Sequence, residues 1–136
     1  MAYQWDVSLE TGYDKVDNQH KQLVATLNSL IEASKEGKDS EEIFKVLDFM
    51  TGYAIMHFKT EEDLMSLYNY QDFLAHKGYH DGFKVTVGEL SKRLVDEGPT
   101  PQLVNNVTTI IGDWLVNHIK GDDFRMAAYV KSKDVG

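Results

Sequence analysis

The five histidines of this 136-residue chain all fall in phase with apolar helical stripes, so each predicted imidazole faces the protein interior. They are His20, His57, His76, His80 and His118. A single interior histidine is usually a hydrogen-bonded core residue. Five of them favour a metal site, because neutral imidazole nitrogens are good ligands for transition-metal ions.

Spacing along the chain adds a carboxylate to this set. Glu61 follows His57 by four residues and His80 follows His76 by four, so each pair shares one helix face, about one turn apart. A glutamate on an interior face is unfavourable unless it is paired or bound to a metal. The chain has no cysteine, which excludes thiolate zinc sites and iron–sulfur clusters. Imidazole with carboxylate suits iron, with manganese, cobalt or zinc as alternatives.

Composition narrows the class of protein further. The chain has 22 acidic and 14 basic residues and a net charge of −8, without a basic cluster, so neither nucleic acid nor an anionic membrane is expected as a partner. A hydrophobic content of 42% indicates a folded domain. The start has no signal-peptide pattern and no apolar run is long enough to span a bilayer. A cytoplasmic protein is expected, although a domain of a larger sensor protein would look the same.

The elements that must position these side chains are four helices behind a non-periodic arm. A single domain over 1–136 is predicted, with these bounds: arm 1–16, and helices at about 18–36, 41–69, 73–96 and 101–129. The predicted N-caps are Asp17, Ser40, Asp72, and either Thr100 or Pro101. Three arm residues are expected to lie on the bundle: Trp5, Val7 and Leu9. Ile110 is predicted on the interior stripe of the fourth helix. Five mid-helix glycines are expected to allow close helix approach: Gly52, Gly78, Gly82, Gly88 and Gly112.

Short connections between four helices favour an all-α, antiparallel up-down four-helix bundle. The histidines fall near the start of the first and third helices and near the end of the second and fourth. In an antiparallel bundle those four places lie at one end, at similar depth. This agreement is independent of the spacing within any one helix, so it strengthens the prediction of one shared site.

The chain resembles the hemerythrin family, in its bacterial single-domain form, over nearly its whole length. The resemblance is carried by Trp5 in the arm, Asp17-x2-His20-Lys21-x-Leu23, His57-Phe58-x2-Glu61-Glu62-x-Leu64-Met65, His76-x3-His80-x2-Phe83, and Trp114-Leu115-x2-His118-Ile119-x3-Asp123. It implies two iron ions with a bridging oxo or hydroxo group. One iron would take His76, His80 and His118, and the other His20 and His57.

By the same resemblance, Glu61 and Asp123 bridge the two irons. The first iron then has six ligands and the second has five, which leaves an open position for dioxygen. An apolar pocket around that position is implied for Phe58, Trp114, Leu115 and Ile119.

The identity of the bridging aspartate is a point of conflict. Helical phase alone favours Asp122, four residues after His118, whereas the family pattern places the bridge at Asp123. Five residues correspond to about 500° of rotation, so the helix must distort or end there, as Gly121 would permit. We expect Asp123, with a π-type bulge.

These features predict reversible dioxygen binding for storage, transport or sensing. A partner would be an oxygen-consuming enzyme or a sensor output module. The stripes carry no additional acid or base, which disfavours an enzyme. Two alternatives stay open: a di-iron oxidase, peroxidase or nitric-oxide-handling enzyme, and a structural bundle that binds iron or zinc.

Overall fold

In a computed structural model, residues 3–133 form five α-helices and two short turns. The helices are α1 (Asp14–Lys35), α2 (Ser40–Leu67), α3 (Phe73–Glu97), α4 (Pro101–His118) and α5 (Phe124–Lys133). A 3₁₀ turn covers Val7–Leu9, and a π-helical turn over Ile119–Asp123 joins α4 to α5. The structure describes these residues alone, so residues 1, 2 and 134–136 of the predicted domain lie outside it.

The four long helices pack as a bundle. Helix α1 contacts α2 and α4, and α3 contacts α2 and α4, so the helices close a ring in chain order. Short connections make neighbours in this ring antiparallel, and the predicted fold class is confirmed. Within residues 3–133, no helix is both long and apolar enough to cross a bilayer.

The start of α1 differs from the prediction. The helix begins at Asp14 rather than near residue 18, so Asp17 lies inside it and is not its N-cap. The Asp17 carboxylate instead accepts hydrogen bonds from Thr11 N and Thr11 Oγ1, at 2.8 and 2.7 Å, and from Gly12 N at 3.0 Å. It therefore ties the end of the arm to the helix.

The other helix starts follow the predicted chemistry more closely. Asp39, rather than Ser40, caps α2 by accepting a hydrogen bond from Glu42 N. Thr100 caps α4 through Leu103 N, with Pro101 in the first turn. Asp72 precedes α3 as predicted, but its side chain makes no capping hydrogen bond.

The arm and the predicted stripes need three corrections. Leu9 is buried and Trp5 packs on the core, but Val7 is 79% exposed because it points away in the 3₁₀ turn. On α4 the interior position belongs to Ile111, whereas Ile110 is 44% exposed. Of the five mid-helix glycines only Gly112 has a close neighbour, the ring of Tyr3, and the other four face open space.

Two apolar clusters fill the interior. The larger extends through most of the bundle and includes Leu30, Leu47 and Leu94. The smaller lies at the end where α2 turns into α3, and its buried residues are Val16, Met65, Tyr70, Met126 and Val130. Along α1, along α2, and from α4 through the π-helical turn into α5, the predicted ligands lie between residues of the two clusters.

Candidate metal centre

The structure brings all seven predicted ligand side chains together, and each is buried. Their donor atoms form two groups, each with all atoms within 4.8 Å of one another. The three-histidine position comprises Glu61, Asp123 and the imidazoles of His76, His80 and His118. The two-histidine position comprises the same two carboxylates with His20 and His57. Four helices and the π-helical turn contribute to this cluster.

Glu61 presents one oxygen to each position. Its Oε1 lies 3.2 Å from Nε2 of His76 and 3.0 Å from Nε2 of His80. Its Oε2 lies 2.9 Å from Nε2 of His57 and 3.3 Å from Nε2 of His20. The carboxylate therefore has the orientation of a bridging ligand between two sites.

Asp123 repeats this arrangement from the opposite helix. Its Oδ1 lies 3.0 Å from Nε2 of His76 and 3.1 Å from Nε2 of His118. Its Oδ2 lies 2.9 Å from Nε2 of His20. Two carboxylates thus face both positions, whereas each imidazole faces only one.

Many of these close contacts are not hydrogen bonds. The buried atoms without a hydrogen-bond partner in the described chain include Nε2 of His20, His57, His80 and His118, Oε2 of Glu61, and both carboxylate oxygens of Asp123. Separations near 3 Å without hydrogen-bond angles are expected when lone pairs converge on common centres. Leaving so many buried polar atoms unpaired would be costly, so the donor set fits bound metal ions.

The carboxylates remain ionised inside this cluster. Burial opposes ionisation of Glu61, but the electrostatic interaction with His57 and contacts with the neighbouring imidazoles hold its pKa well below the usual range. The pKa of Asp123 is also lowered, because three histidine contacts outweigh burial and the nearby Glu61 charge. Burial likewise disfavours the charged form of His20, yet contacts with Asp123 and Glu61 raise its pKa to about 9. The cluster is thus built around two anions.

The π-helical turn settles where the two aspartates point. Asp123 is 1% exposed and faces the cluster. Asp122 faces the other side of His118, where its Oδ2 lies 2.9 Å from Nδ1. The wider π turn brings residue i+5 onto the face of His118, while i+4 stays close to the same ring. The predicted distortion of the helix is present, and both aspartates contact His118.

Comparison with known proteins agrees with this geometry. The sequence pattern described as the Hemerythrin HHE cation binding domain matches residues 11–130. The chain belongs to the hemerythrin family. A bacteriohemerythrin of Pseudomonas aeruginosa is 35% identical over 126 residues, covering 93% of this chain and 78% of the relative. A bacteriohemerythrin of Methylococcus capsulatus is 38% identical over 103 residues, covering 76% of each chain.

Solved structures give the same result for the fold. A crystal structure of wild-type hemerythrin superimposes with a TM-score of 0.84 at 31% identity, covering 96% of this chain and 98% of that chain. The bundle described above is therefore a hemerythrin fold.

Sequence reasoning missed three residues that orient the histidines of this hemerythrin centre. Nδ1 of His57 lies 2.7 Å from Oε1 of Gln19, and Nδ1 of His80 lies 2.9 Å from Oε2 of Glu62. Asp122 does the same for His118. An acceptor at Nδ1 places the proton there and leaves Nε2 free to face the cluster. Glu62 and Asp122 each adjoin a predicted ligand in sequence, and this position could have indicated them. Gln19 adjoins His20 in sequence but contacts His57 on another helix.

The four residues predicted to form an apolar pocket all lie next to the cluster or the core. The ring of Phe58 stacks on His80 at 4.0 Å between centroids, and Trp114 stacks on His118 at 4.5 Å. Leu115 and Ile119 are buried. Trp5, from the arm, approaches His20 on the two-histidine side, with ring centroids 6.4 Å apart. Aromatic and aliphatic side chains therefore separate the cluster from solvent.

Proposed function

We propose that this chain is a non-haem di-iron protein that reversibly binds dioxygen, for storage, transport or sensing. The observation that carries the proposal is the unequal division of ligands: three imidazoles on one side, two on the other, and two carboxylates that face both. With the oxo or hydroxo group that the family resemblance implies, the three-histidine position would have six ligands and the two-histidine position would have five. The sixth place at the two-histidine position is where dioxygen would bind. Two ferrous ions held by these residues would supply the two electrons that this binding requires.

The surroundings of the cluster favour a small apolar ligand. Phe58 and Leu115 line a small internal cavity together with other apolar core residues such as Ile111. Trp114 and Ile119 complete the apolar contacts on the α4 side. Such a lining disfavours water and polar substrates and suits a small neutral ligand better.

Binding is favoured over turnover because few acids or bases are buried in the interior besides the candidate ligands. Among residues 3–133, the buried titratable side chains outside the cluster are Tyr70, which packs in the smaller apolar cluster, and Asp17. Its carboxylate is occupied by Thr11 and Gly12 at the arm. General acid–base catalysis requires a proton donor or acceptor within hydrogen-bonding reach of the substrate. We therefore propose a carrier or sensor rather than an enzyme.

Metal analysis combined with visible spectroscopy tests this function. Protein purified in air should contain two irons per chain and show charge-transfer absorption that disappears on deoxygenation and returns with oxygen. A colourless protein with zinc at full occupancy would indicate a structural role. Continuous oxygen consumption with a reductant, measured with an oxygen electrode, would indicate an oxidase. Either result would overturn the proposal.

A further inference from the structure

We propose that the two metal positions differ in affinity because Glu62 and Asp122 support the three-histidine ion, whereas the neutral Gln19 supports the two-histidine ion. The proposal rests on the dinuclear site proposed above and extends it to the order in which ions are bound and released. It assigns positioning roles to three side chains that touch ligand imidazoles and contact neither metal position directly.

Two carboxylates stand behind the three-histidine position. Oε2 of Glu62 lies 2.9 Å from Nδ1 of His80, and Oδ2 of Asp122 lies 2.9 Å from Nδ1 of His118. Glu62 and Asp122 are 17% and 21% exposed, so water screens these contacts only in part. A carboxylate that accepts a hydrogen bond from Nδ1–H fixes the ring and increases electron donation from Nε2 to a metal.

The two-histidine position has no such charge behind it. Nδ1 of His57 meets the amide oxygen of Gln19 at 2.7 Å. The amide orientation is fixed because its Nε2 donates to Oγ1 of Thr60 at 3.2 Å. Nδ1 of His20 is buried and has no hydrogen-bond partner among the described residues. The imidazoles here are therefore held by one neutral contact.

The number of ligands and the contacts to their Nδ1 atoms both favour tighter metal binding at the three-histidine position. The three-histidine position has five protein ligands and two supporting carboxylates, of which Asp122 also pairs with Arg125. The two-histidine position has four protein ligands and no supporting carboxylate. Loss of an outer-shell partner typically costs about 10–100-fold in metal affinity. We therefore expect the two-histidine ion to leave first and to bind last, which would allow the preparation of a protein with two different metals.

Chelator competition against the full chain loaded with Co(II) measures this difference. Cobalt absorbs visibly and accepts imidazole and carboxylate ligands. The first equivalent should be released at a chelator concentration about 10-fold or more below that needed for the second. The absorption spectrum should change in two steps rather than one.

Charge-only substitutions separate the two positions. Glu62→Gln should lower the cobalt affinity of the three-histidine position by about 10–100-fold and leave the affinity of the two-histidine position nearly unchanged. Its control is Asp63→Asn, which removes the same charge from an exposed side chain whose one ion-pair partner among residues 3–133 is Lys59. Gln19→Glu should raise the cobalt affinity of the two-histidine position. Its control is Gln22→Glu, which adds the same charge at an exposed position of α1.

The outcomes distinguish the proposed difference in affinity from the proposed dinuclear site. Two equivalents that leave together, or variants that loosen both equally, would overturn the inference and leave the dinuclear site intact. Equal loosening is also what a merely structural role of Glu62 would produce. A protein that binds fewer than two cobalt ions would overturn the dinuclear site, and this inference with it.

Discussion

At the scale of single residues, the two shared carboxylates have the most specific role. Each imidazole faces one position, so in the proposed dinuclear site its loss would remove a ligand from one ion. Each carboxylate faces both positions through different oxygens, so its loss would remove a ligand from both ions and the link between them. Replacing a carboxylate should therefore have broader consequences than replacing a histidine.

Glu61→Ala should abolish the coupled site, because both ions lose a ligand. His57→Ala should mainly weaken the two-histidine ion and leave about one metal per chain. Elemental analysis and the visible spectrum of the purified variants measure both effects. Full iron loading and an unchanged spectrum in Glu61→Ala would show that the glutamate is not a bridge.

The neighbouring aspartates provide a second test. Asp123→Ala should remove most of the iron, because Asp123 is the buried carboxylate that faces both positions. Asp122→Ala should retain two irons at saturating iron, with weaker binding at the three-histidine position, because Asp122 contacts Nδ1 of His118 and Arg125 but faces neither metal position. Iron titration of both variants decides the matter. Loss of iron from Asp122→Ala at saturation would reverse the assignment.

At the scale of elements, the fourth helix and the arm depart from regular geometry in order to complete the site. The π turn over Ile119–Asp123 aligns Asp123 with His118. On the other side, the arm is fixed by paired hydrogen bonds between Tyr3 and Asn28, at 2.8 and 2.6 Å, and brings Trp5 toward His20. The Tyr3 ring lies where a side chain on Gly112 would be, so this glycine is required by the arm rather than by the helix.

Gly112→Ala should displace the arm and destabilise the protein, although alanine is favoured over glycine in a helix by about 1 kcal/mol. A β-carbon there would lie only 2.1 Å from the Tyr3 ring. In a Tyr3→Ala background the same substitution should instead stabilise by about 1 kcal/mol. Gly52→Ala, which meets nothing within 4 Å, should stabilise in both backgrounds. Denaturant unfolding of the four combinations measures the coupling, and additive effects would contradict it.

Elements with strong periodicity were predictable from the sequence. The four helices, the end of the bundle that carries the histidines, and the Thr100 cap all follow from local pattern. The predicted start of α1 was wrong because the Asp17 side chain accepts hydrogen bonds from the arm. From sequence alone, an aspartate in this role cannot be distinguished from an N-cap. The prediction that Ile110 lies in the interior was wrong because 3.6-residue periodicity does not distinguish it from Ile111 at the edge of the stripe.

Parts of the site could not be predicted from one sequence for a similar reason. Helical phase alone favours Asp122, and only the family resemblance favoured Asp123. The hydrogen bond from His57 to Gln19 joins two helices, and nothing in local spacing indicates it. Local pattern therefore indicates six of the seven candidate ligands, whereas the alignment of Asp123 depends on the π turn and the contact of Gln19 depends on packing between helices.

At the scale of the whole molecule, the polar cluster divides the apolar interior. On α1, Val16 of the smaller cluster precedes His20, and Leu23 of the larger one follows it. On α2, Phe58 and Met65 lie on either side of Glu61 in the same way. The smaller cluster has few buried residues of its own, so its attachment to the bundle depends on the centre between them. Bound metal would thus join the two halves of the core.

Removal of the metal should therefore destabilise one end of the molecule more than the other. Unpaired buried polar groups cost about 1–3 kcal/mol each, and a ligand held at 100 times its Kd stabilises the folded state by about 2.7 kcal/mol. We expect the apo-protein to be less stable by about 3 kcal/mol or more, with a lower Tm. Hydrogen exchange should quicken at the start of α1, the end of α2, the start of α3 and in α5. Amides near Leu30, Leu47 and Leu94 should stay protected, because the larger cluster packs without the centre. Re-addition of iron should restore both properties. Equal melting of the apo- and holo-proteins, or loss of protection confined to the end remote from the histidines, would show that the centre does not join the two clusters.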